Sequence, residues 1–326
     1  MPIIDLRQVN SRSLEELFQE ESRYWREELY WDYRPSIDLI RRFVDSRSLG
    51  GYAAVENQHL AGYGFYVLED HKGLIGGLFV SPRHAQARLP NGGQAPITEQ
   101  LLAEMVSALR AIPGVERIEA QLMPFGTDLD APLLSRYFRL YPRQFMLLSL
   151  ADAKLNSAPL SAGFRLERWT GGALAPAARL IHLTYADHVD SQINDQYCSE
   201  AGGLRLLRNI VLLPGCGQFL PEASFLVRPV TGDALIALVL TSTVDDRVGH
   251  TTQICVMPGY QGHGLGRHLM EQSILALRRR HYERLSLTVT SVNAHAVALY
   301  EQLGFRTVKS FAAGVWQPRL PSVGQA

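Results

Sequence analysis

The segment with the clearest chemical potential is glycine-rich and reads Gln-Gly-His-Gly-Leu-Gly-Arg from Gln261 to Arg267. It stands between an apolar stretch that predicts a strand and a stretch with apolar residues at helical spacing. The first backbone N–H groups of a helix have no partner within it, and glycines let an anion approach them closely. The segment therefore predicts a phosphate-binding turn, although a tight strand-to-helix turn without any ligand would also use glycines.

Two other phosphate-binding motifs do not fit this segment. The sequence contains no Gly-Lys-Ser or Gly-Lys-Thr, which excludes a P-loop. A dinucleotide-binding fold needs an acidic residue at the far end of the next strand. Glu283 has roughly the required spacing, but it precedes the predicted strand Leu285–Thr290 and would lie at the wrong end to meet a ribose.

A second motif follows that strand, and the two motifs together point to one family. It reads Asn293-x-x-Ala-x-x-Leu-Tyr-Glu-x-x-Gly-Phe305. With Val256-x-Pro-x-x-Gln-Gly-x-Gly-x-Gly266 it resembles the GCN5-related N-acetyltransferase (GNAT) family. The resemblance implies a transfer of an acetyl group from acetyl-CoA to an amine, by direct attack on the thioester. It leaves open whether the acceptor is a small molecule or a peptide.

The resemblance also assigns expected roles to individual residues. Tyr300 would protonate the departing thiolate, and the backbone of Cys255, Val256 and Met257 would pair with the pantetheine arm. Asn293 would either hydrogen-bond the cofactor or only cap its helix. The pyrophosphate would be held by the amides of the glycine-rich turn, namely Gln261, Gly262, His263, Gly264, Leu265, Gly266 and Arg267.

The general base has no clear signal in the sequence. His250 lies six residues before Val256 and, by strand alternation, would share its face, so it is a candidate base. The alternative, which the position favours, is a solvated histidine at a strand edge. Cys255 is not expected to be a nucleophile, because the family uses direct attack. The alternative to an enzyme is a non-catalytic acyl-CoA-binding or protein-interaction module.

The elements around these motifs predict an α+β fold made of two tandem GNAT-like modules. Each module would have a mixed, mostly antiparallel sheet flanked by helices. A small, polar segment at residues 152–163 is the expected linker between a module at 1–151 and a catalytic module at 164–326. Corresponding helices start at Ile97 and Gly264, an offset of 167 residues. The N-terminal copy is expected to be degenerate, because its loop at 81–96 lacks the glycine-rich pattern.

Composition narrows the function further. The 32 basic and 32 acidic residues balance, which argues against a nucleic-acid partner. No apolar stretch approaches the roughly 18 residues that a membrane span needs, and the charged start does not resemble a signal peptide. Three cysteines without a C-x-x-C spacing predict neither a disulfide framework nor a metal site. We expect a cytoplasmic protein without a metal; its oligomeric state is not indicated.

Overall fold

The computed structural model describes residues 2–85, 95–156, 159–213 and 215–318. By its contacts the chain forms two compact units, and each is assembled from separated segments. The first unit comprises Met1–Trp25, Ser36–Pro142 and Phe311–Ala326, and the second comprises Arg26–Pro35 and Arg143–Ser310. Within the described ranges, no helix is both long and apolar enough to cross a membrane.

Strands and helices follow one another in an order that repeats in the two halves of the chain. The strands are β1 Ile3–Asp5, β2 Gly50–Glu56, β3 His59–Glu69, β4 Lys72–Val80, β5 Arg117–Gln121, β6 Arg139–Ser149, β7 Phe164–Arg168, β8 Gln218–Phe219, β9 Phe225–Pro229, β10 Ala237–Asp245, β11 Val248–Val256, β12 Arg284–Thr290 and β13 Arg306–Trp316. The α-helices are α1 Glu15–Leu29, α2 Arg34–Asp45, α3 Pro82–Ala85, α4 Ile97–Ala111, α5 Asp130–Leu134, α6 Leu174–Tyr185, α7 Val189–Ile193, α8 Glu200–Leu212, α9 Leu265–Arg279 and α10 Ala294–Leu303.

The sheet of the second unit runs β7, β9, β10, β11, β12, β6, with β8 beside β10. Every neighbouring pair in this run is antiparallel except β11 and β12, which are parallel. Its last strand, β6, comes from the first half of the sequence. Residues 143–149 of that strand pair along the whole of β12.

The sheet of the first unit has the same design. It runs β1, β2, β3, β4, β5 and then residues 313–316 of β13, again with a single parallel pair, β4 and β5. Here the last strand comes from the second half of the sequence. The repeated order and directions confirm the predicted fold class, a mixed and mostly antiparallel sheet flanked by helices. Local periodicity shows that a strand forms, but not which edge it joins, so the origin of the last strands could not be predicted.

The core of the second unit covers both faces of its sheet. Successive residues of β10 point to opposite faces. Val239 packs with the apolar side of α9, whereas Leu238 and Leu240 pack with α6 and α8. All of these side chains are buried, which explains why β10 reads as a continuous apolar run and not as an alternation. The first turn of α9 is thereby held against the end of β11.

Candidate functional site

The second unit opens between its two parallel strands. β11 pairs with β12 only from Val248 to Thr251, although β11 continues to Val256. The edge of β11 beyond Thr251 is therefore unpaired on the β12 side, and a cavity of about 500 Å³ lies there. Of the predicted site residues, those that line this cavity are Cys255, Val256, Gln261, Gly262, Gly264, Leu265, Gly266, Arg267, Asn293 and Tyr300.

The backbone of β11 presents a defined set of groups to the cavity. The Met257 N–H donates to the Ile236 carbonyl at 2.8 Å, so it faces β10 and not the cavity. Alternate residues face the other edge. Accordingly, the Val256 carbonyl accepts from Gln261 Nε2 at 3.3 Å, and the Ile254 carbonyl accepts from the Tyr185 hydroxyl at 3.0 Å. The Val256 N–H thus points into the cavity, whereas the amide of Met257 is already used.

The glycine-rich turn has the geometry of an anion site. Gly262 and Gly264 have φ values of 81° and 74°, in the left-handed region that favours glycine. A Cβ atom at either position would meet nothing within 4 Å, so the space above the turn is open. Gly264 caps α9 without a side-chain hydrogen bond, which leaves the first amides of this 15-residue helix available. The turn therefore combines free donors with room for a ligand.

The side chains of the turn have structural roles. Arg267 Nε donates to Glu271 at 2.9 Å, and Arg267 Nη2 donates to the Lys154 carbonyl at 3.1 Å. Its guanidinium thereby fixes the start of α9 to residues that follow β6. Leu265 is buried in the core, and the His263 ring lies outside the cavity lining, with Nδ1 at 3.1 Å from the Gln261 carbonyl. The Arg267 guanidinium, although it lines the cavity, is already paired with Glu271, so the turn offers an anion chiefly its backbone amides.

Tyr300 reaches the cavity from α10. This helix begins at Asn293, whose Oδ1 accepts from the Ala296 N–H at 3.2 Å, and it ends at Gly304 with φ 104°. Burial raises the pKa of the Tyr300 phenol above its usual range, and the negative charge of Asp190 raises it further. Tyr300 is therefore a protonated hydroxyl at neutral pH. Asn293 caps the helix and also places Nδ2 at 3.2 Å from His188 Nε2; a contact with the cofactor stays a prediction.

The structure does not bring His250 to this cavity. Its Nδ1 lies 2.9 Å from Ser286 Oγ, and its ring packs against Trp31 and Phe145 at centroid distances of 4.9 and 6.0 Å. Burial lowers the pKa of His250 to about 3, so it is a neutral core residue. The expected alternation with Val256 fails because a β-bulge interrupts β11. Leu240 pairs with Gln253 and Thr241 with Thr251, which leaves Thr252 as an extra residue.

Some polar residues in or behind the cavity wall carry no sequence motif. Tyr185 lines the cavity. Tyr197 stacks on it with ring centroids 4.3 Å apart, and Gln253 bonds to both hydroxyls. The polar run 187–195 contains α7, and its His188 lines the cavity. Burial raises the pKa of the Cys255 thiol to about 12, which keeps it protonated. Within the described part of the chain, no three His, Cys, Asp or Glu side chains converge as a metal site requires.

Comparisons with known proteins place this site in a family. Residues 197–305 match the sequence model described as the acetyltransferase (GNAT) family. Residues 197–305 thus carry the sequence pattern of the GNAT family over about a third of the chain. The chain is 32% identical over 160 residues to a mycothiol acetyltransferase of Beutenbergia cavernae, covering 48% of this chain and 50% of that protein. It is 44% identical over 71 residues to a ribosomal protein bS18-alanine N-acetyltransferase of Escherichia coli, covering 22% and 47%. The chain thus spans about half the length of these relatives.

Solved structures extend the likeness to both units. A GCN5-related N-acetyltransferase from Sphaerobacter thermophilus aligns with a TM-score of 0.60 at 13% identity, over 86% of this chain and 85% of that one. A tandem GNAT protein from the clavulanic acid biosynthesis pathway aligns with a TM-score of 0.56 at 15% identity, over 82% of each chain. At these identities the likeness concerns the fold, and the fold is a tandem GNAT arrangement.

Proposed function

We propose that this protein is an N-acetyltransferase that moves an acetyl group from acetyl-CoA to an amine acceptor. One observation carries the proposal: a single cavity joins a turn with free helix amides, an unpaired strand edge and the Tyr300 hydroxyl. An acyl-CoA needs all three, because it has a pyrophosphate, an extended amide-containing arm and a thiol leaving group.

The cavity offers groups for the pyrophosphate, the pantetheine arm and the thioester of this cosubstrate. The amides at the start of α9 and the positive end of the helix dipole would hold the pyrophosphate. The unpaired edge of β11 would accept the pantetheine arm as an added strand, with hydrogen bonds to its amides. Val256 offers the N–H group for this pairing. Met257, whose N–H is bonded to Ile236, contributes no donor.

The chemistry would follow from the same groups. Acetyl-CoA would supply an activated acyl carbon, which the neutral amine would attack directly. The C–N bond would form and the C–S bond would break; the nitrogen would lose a proton to solvent, and the departing thiolate would take one up. A backbone N–H aimed at the thioester oxygen stabilises the negative charge that develops there. Tyr300 lines the cavity and is protonated, so we assign its hydroxyl the role of donor to the departing sulfur.

The acceptor is proposed only as an amine. The two relatives differ in this respect, since one is named for mycothiol and the other for an alanine of ribosomal protein bS18. Both names describe an acetyltransferase, and one of them names a protein as the acceptor. The test must therefore include amines of both kinds.

The decisive experiment measures release of the CoA thiol from acetyl-CoA with a panel of small amines and peptides that have free N-termini. Thiol release that depends on an amine, together with detection of the acetylated amine by mass spectrometry, supports the proposal. Calorimetry on the same sample measures acetyl-CoA binding independently. Binding without turnover for any amine would instead support the non-catalytic acyl-CoA-binding module.

A further inference from the structure

The open edge of β11 has a direction. The glycine-rich turn follows the carboxyl end of the strand, so a molecule anchored there must extend backwards along β11, from Val256 towards Ile254. If the proposed function is correct, the acyl group lies at the far end of this path. The feature that ends the path is therefore the feature that the acyl group meets.

Tyr185 stands at that end. Its hydroxyl donates to the Ile254 carbonyl at 3.0 Å, two residues beyond the Val256 amide. At about 3.3 Å per strand residue, the distance along the edge between these positions is about 7 Å. The phenol thus fills the space next to the backbone group at which a longer acyl chain would continue.

The Tyr185 ring is fixed from several sides. It stacks on Tyr197 with an interplanar angle of 14°, and the His188 ring meets it edge-on at 5.1 Å. Its hydroxyl also accepts from Gln253 Nε2 at 2.9 Å. Burial raises the pKa of the Tyr185 phenol well above its usual range, so the hydroxyl remains a donor to Ile254. A side chain held by two ring contacts and two hydrogen bonds cannot move aside without losing them.

We infer that Tyr185 is the end wall of the acyl subsite and restricts the protein to short acyl groups such as acetyl. The inference rests on the proposed function, because it takes the cavity to bind an acyl-CoA. Tyr185 acts as a specificity-determining residue, and its ring, not its hydroxyl, excludes the longer chain. A pocket that is too small for added methylene groups typically discriminates by about 10–200-fold for each.

The test compares the affinities of CoA, acetyl-CoA and butyryl-CoA by calorimetry for the wild type, Tyr185→Phe and Tyr185→Ala. We expect the wild type to bind butyryl-CoA at least ~10-fold more weakly than acetyl-CoA. Tyr185→Phe keeps the ring and should keep this ratio, whereas Tyr185→Ala should reduce it to less than ~3-fold. CoA has no acyl group and is the control ligand, whose affinity should change little. Thermal melting checks the fold, and Tyr185→Leu replaces the alanine variant if that variant unfolds.

The possible results separate this inference from the proposed function. An unchanged ratio in Tyr185→Ala, with CoA binding intact, would overturn the end wall and leave the acetyltransferase proposal standing. Equal binding of acetyl-CoA and butyryl-CoA by the wild type would overturn it as well. Failure of the wild type to bind any of the three ligands would contradict the proposed function, and the inference with it.

Discussion

The Tyr300 hydroxyl is a weaker acid than the group it is proposed to protonate. A thiol has a pKa near 8.5, whereas burial and the charge of Asp190 raise the pKa of this phenol above its usual value near 10. Full transfer of the proton to the thiolate is therefore uphill. Tyr300 contributes mainly by donating a hydrogen bond to the sulfur as its charge develops, and such a contribution lies at the low end of acid catalysis.

Replacing Tyr300 with phenylalanine should accordingly lower kcat by roughly 10–100-fold, while the dissociation constant of acetyl-CoA stays within ~3-fold. Steady-state thiol release and calorimetry measure the two quantities separately. Tyr282→Phe is the matched control, because its hydroxyl bonds to Thr243 at 2.6 Å and it does not line the cavity. Loss of acetyl-CoA binding with an unchanged kcat would show that Tyr300 only packs.

The burial of His250 predicts how the free energy of unfolding depends on pH. Its pKa is about 3 in the folded protein and near 6.5 in the unfolded chain, so the unfolded state binds the extra proton when the pH falls below 6.5. Above this pH the histidine is neutral in both states and does not change the free energy of unfolding. Below it, protonation of the unfolded chain lowers the free energy of unfolding. At pH 5 the cost is about 2 kcal/mol, since one pKa unit corresponds to ~1.36 kcal/mol.

The variant His250→Asn should lack this part of the acid sensitivity. Asparagine does not titrate and can still reach Ser286, which lies 2.9 Å from the imidazole Nδ1. Urea denaturation at pH 7.5 and pH 5.0 measures the difference for both proteins. The wild type should lose about 2 kcal/mol more than the variant between these pH values. An equal loss in both would show that His250 is protonated in the folded state.

At the scale of elements, β11, the glycine-rich turn and α9 together form the proposed phosphate site. Gly264 has φ 74°, a conformation that asparagine and aspartate tolerate better than other residues. Gly264→Asn and Gly264→Asp therefore add similar volume and strain, and differ mainly by one negative charge. Acetyl-CoA should bind at least ~10-fold more weakly to the aspartate variant than to the asparagine variant, because the carboxylate and a phosphate held at the turn repel each other; a tenfold loss of affinity corresponds to ~1.4 kcal/mol.

Calorimetry at two salt concentrations distinguishes charge from shape in this pair. The difference between the variants should shrink as salt increases, since the Debye length falls from ~10 Å at 0.1 M to ~3 Å at 1 M. Equal affinities of the two variants at low salt would mean that no phosphate binds near Gly264.

The elements around the site show what local sequence can reveal. The boundaries of α9 and α10 were predictable because glycines and an N-capping asparagine mark them directly. The bulge at Thr252 was not, because it depends on the pairing of β11 with a neighbouring strand. This extra residue breaks the alternation between His250 and Val256, and His250 also lies in the part of β11 that pairs with β12, outside the unpaired edge that borders the cavity. The position of Tyr185 in the site could not be predicted for a similar reason. Tyr185 contacts Gln253 and Ile254 only once α6 packs on the sheet.

At the scale of the whole chain, both units keep the opening between parallel strands. In the first unit β4 pairs with β5 only as far as Ile75, although β4 continues to Val80. The loop 81–96, expected to lack a phosphate site, is described only in part, because residues 86–94 lie outside the described ranges. The degenerate character of this module therefore stays a prediction.

The stoichiometry of acetyl-CoA tests that prediction directly. The full chain should bind one acetyl-CoA, since only the second half carries the glycine-rich pattern. Calorimetric titration should give one site in the wild type and a greatly weakened one in Gly264→Asp. A second site, or full-strength binding that survives in this variant, would show that the N-terminal module also binds the cosubstrate.

The origin of β6 bears on how the catalytic module can be isolated. The sequence suggests a division at residues 152–163, so a fragment Ala158–Ala326 looks like a complete module. In the structure, however, residues 143–149 form the strand beside β12 in the second unit. Met146, Leu148 and Leu150 are buried in the same core cluster as Leu285 and Leu287.

Removing β6 should prevent this fragment from folding. Loss of each large buried side chain costs about 2–5 kcal/mol, and three such losses reach the entire stability of a typical domain, about 5–15 kcal/mol. The edge of β12 would also lose its hydrogen-bond partners. A fragment Arg139–Ala326 restores the strand, so it should give more soluble, monodisperse protein and a clearer cooperative thermal transition than Ala158–Ala326.

Neither fragment should match the full chain, because residues 26–35 also belong to the second unit and place Trp31 against His250. A monodisperse, cooperatively melting Ala158–Ala326 fragment would show that β6 is dispensable.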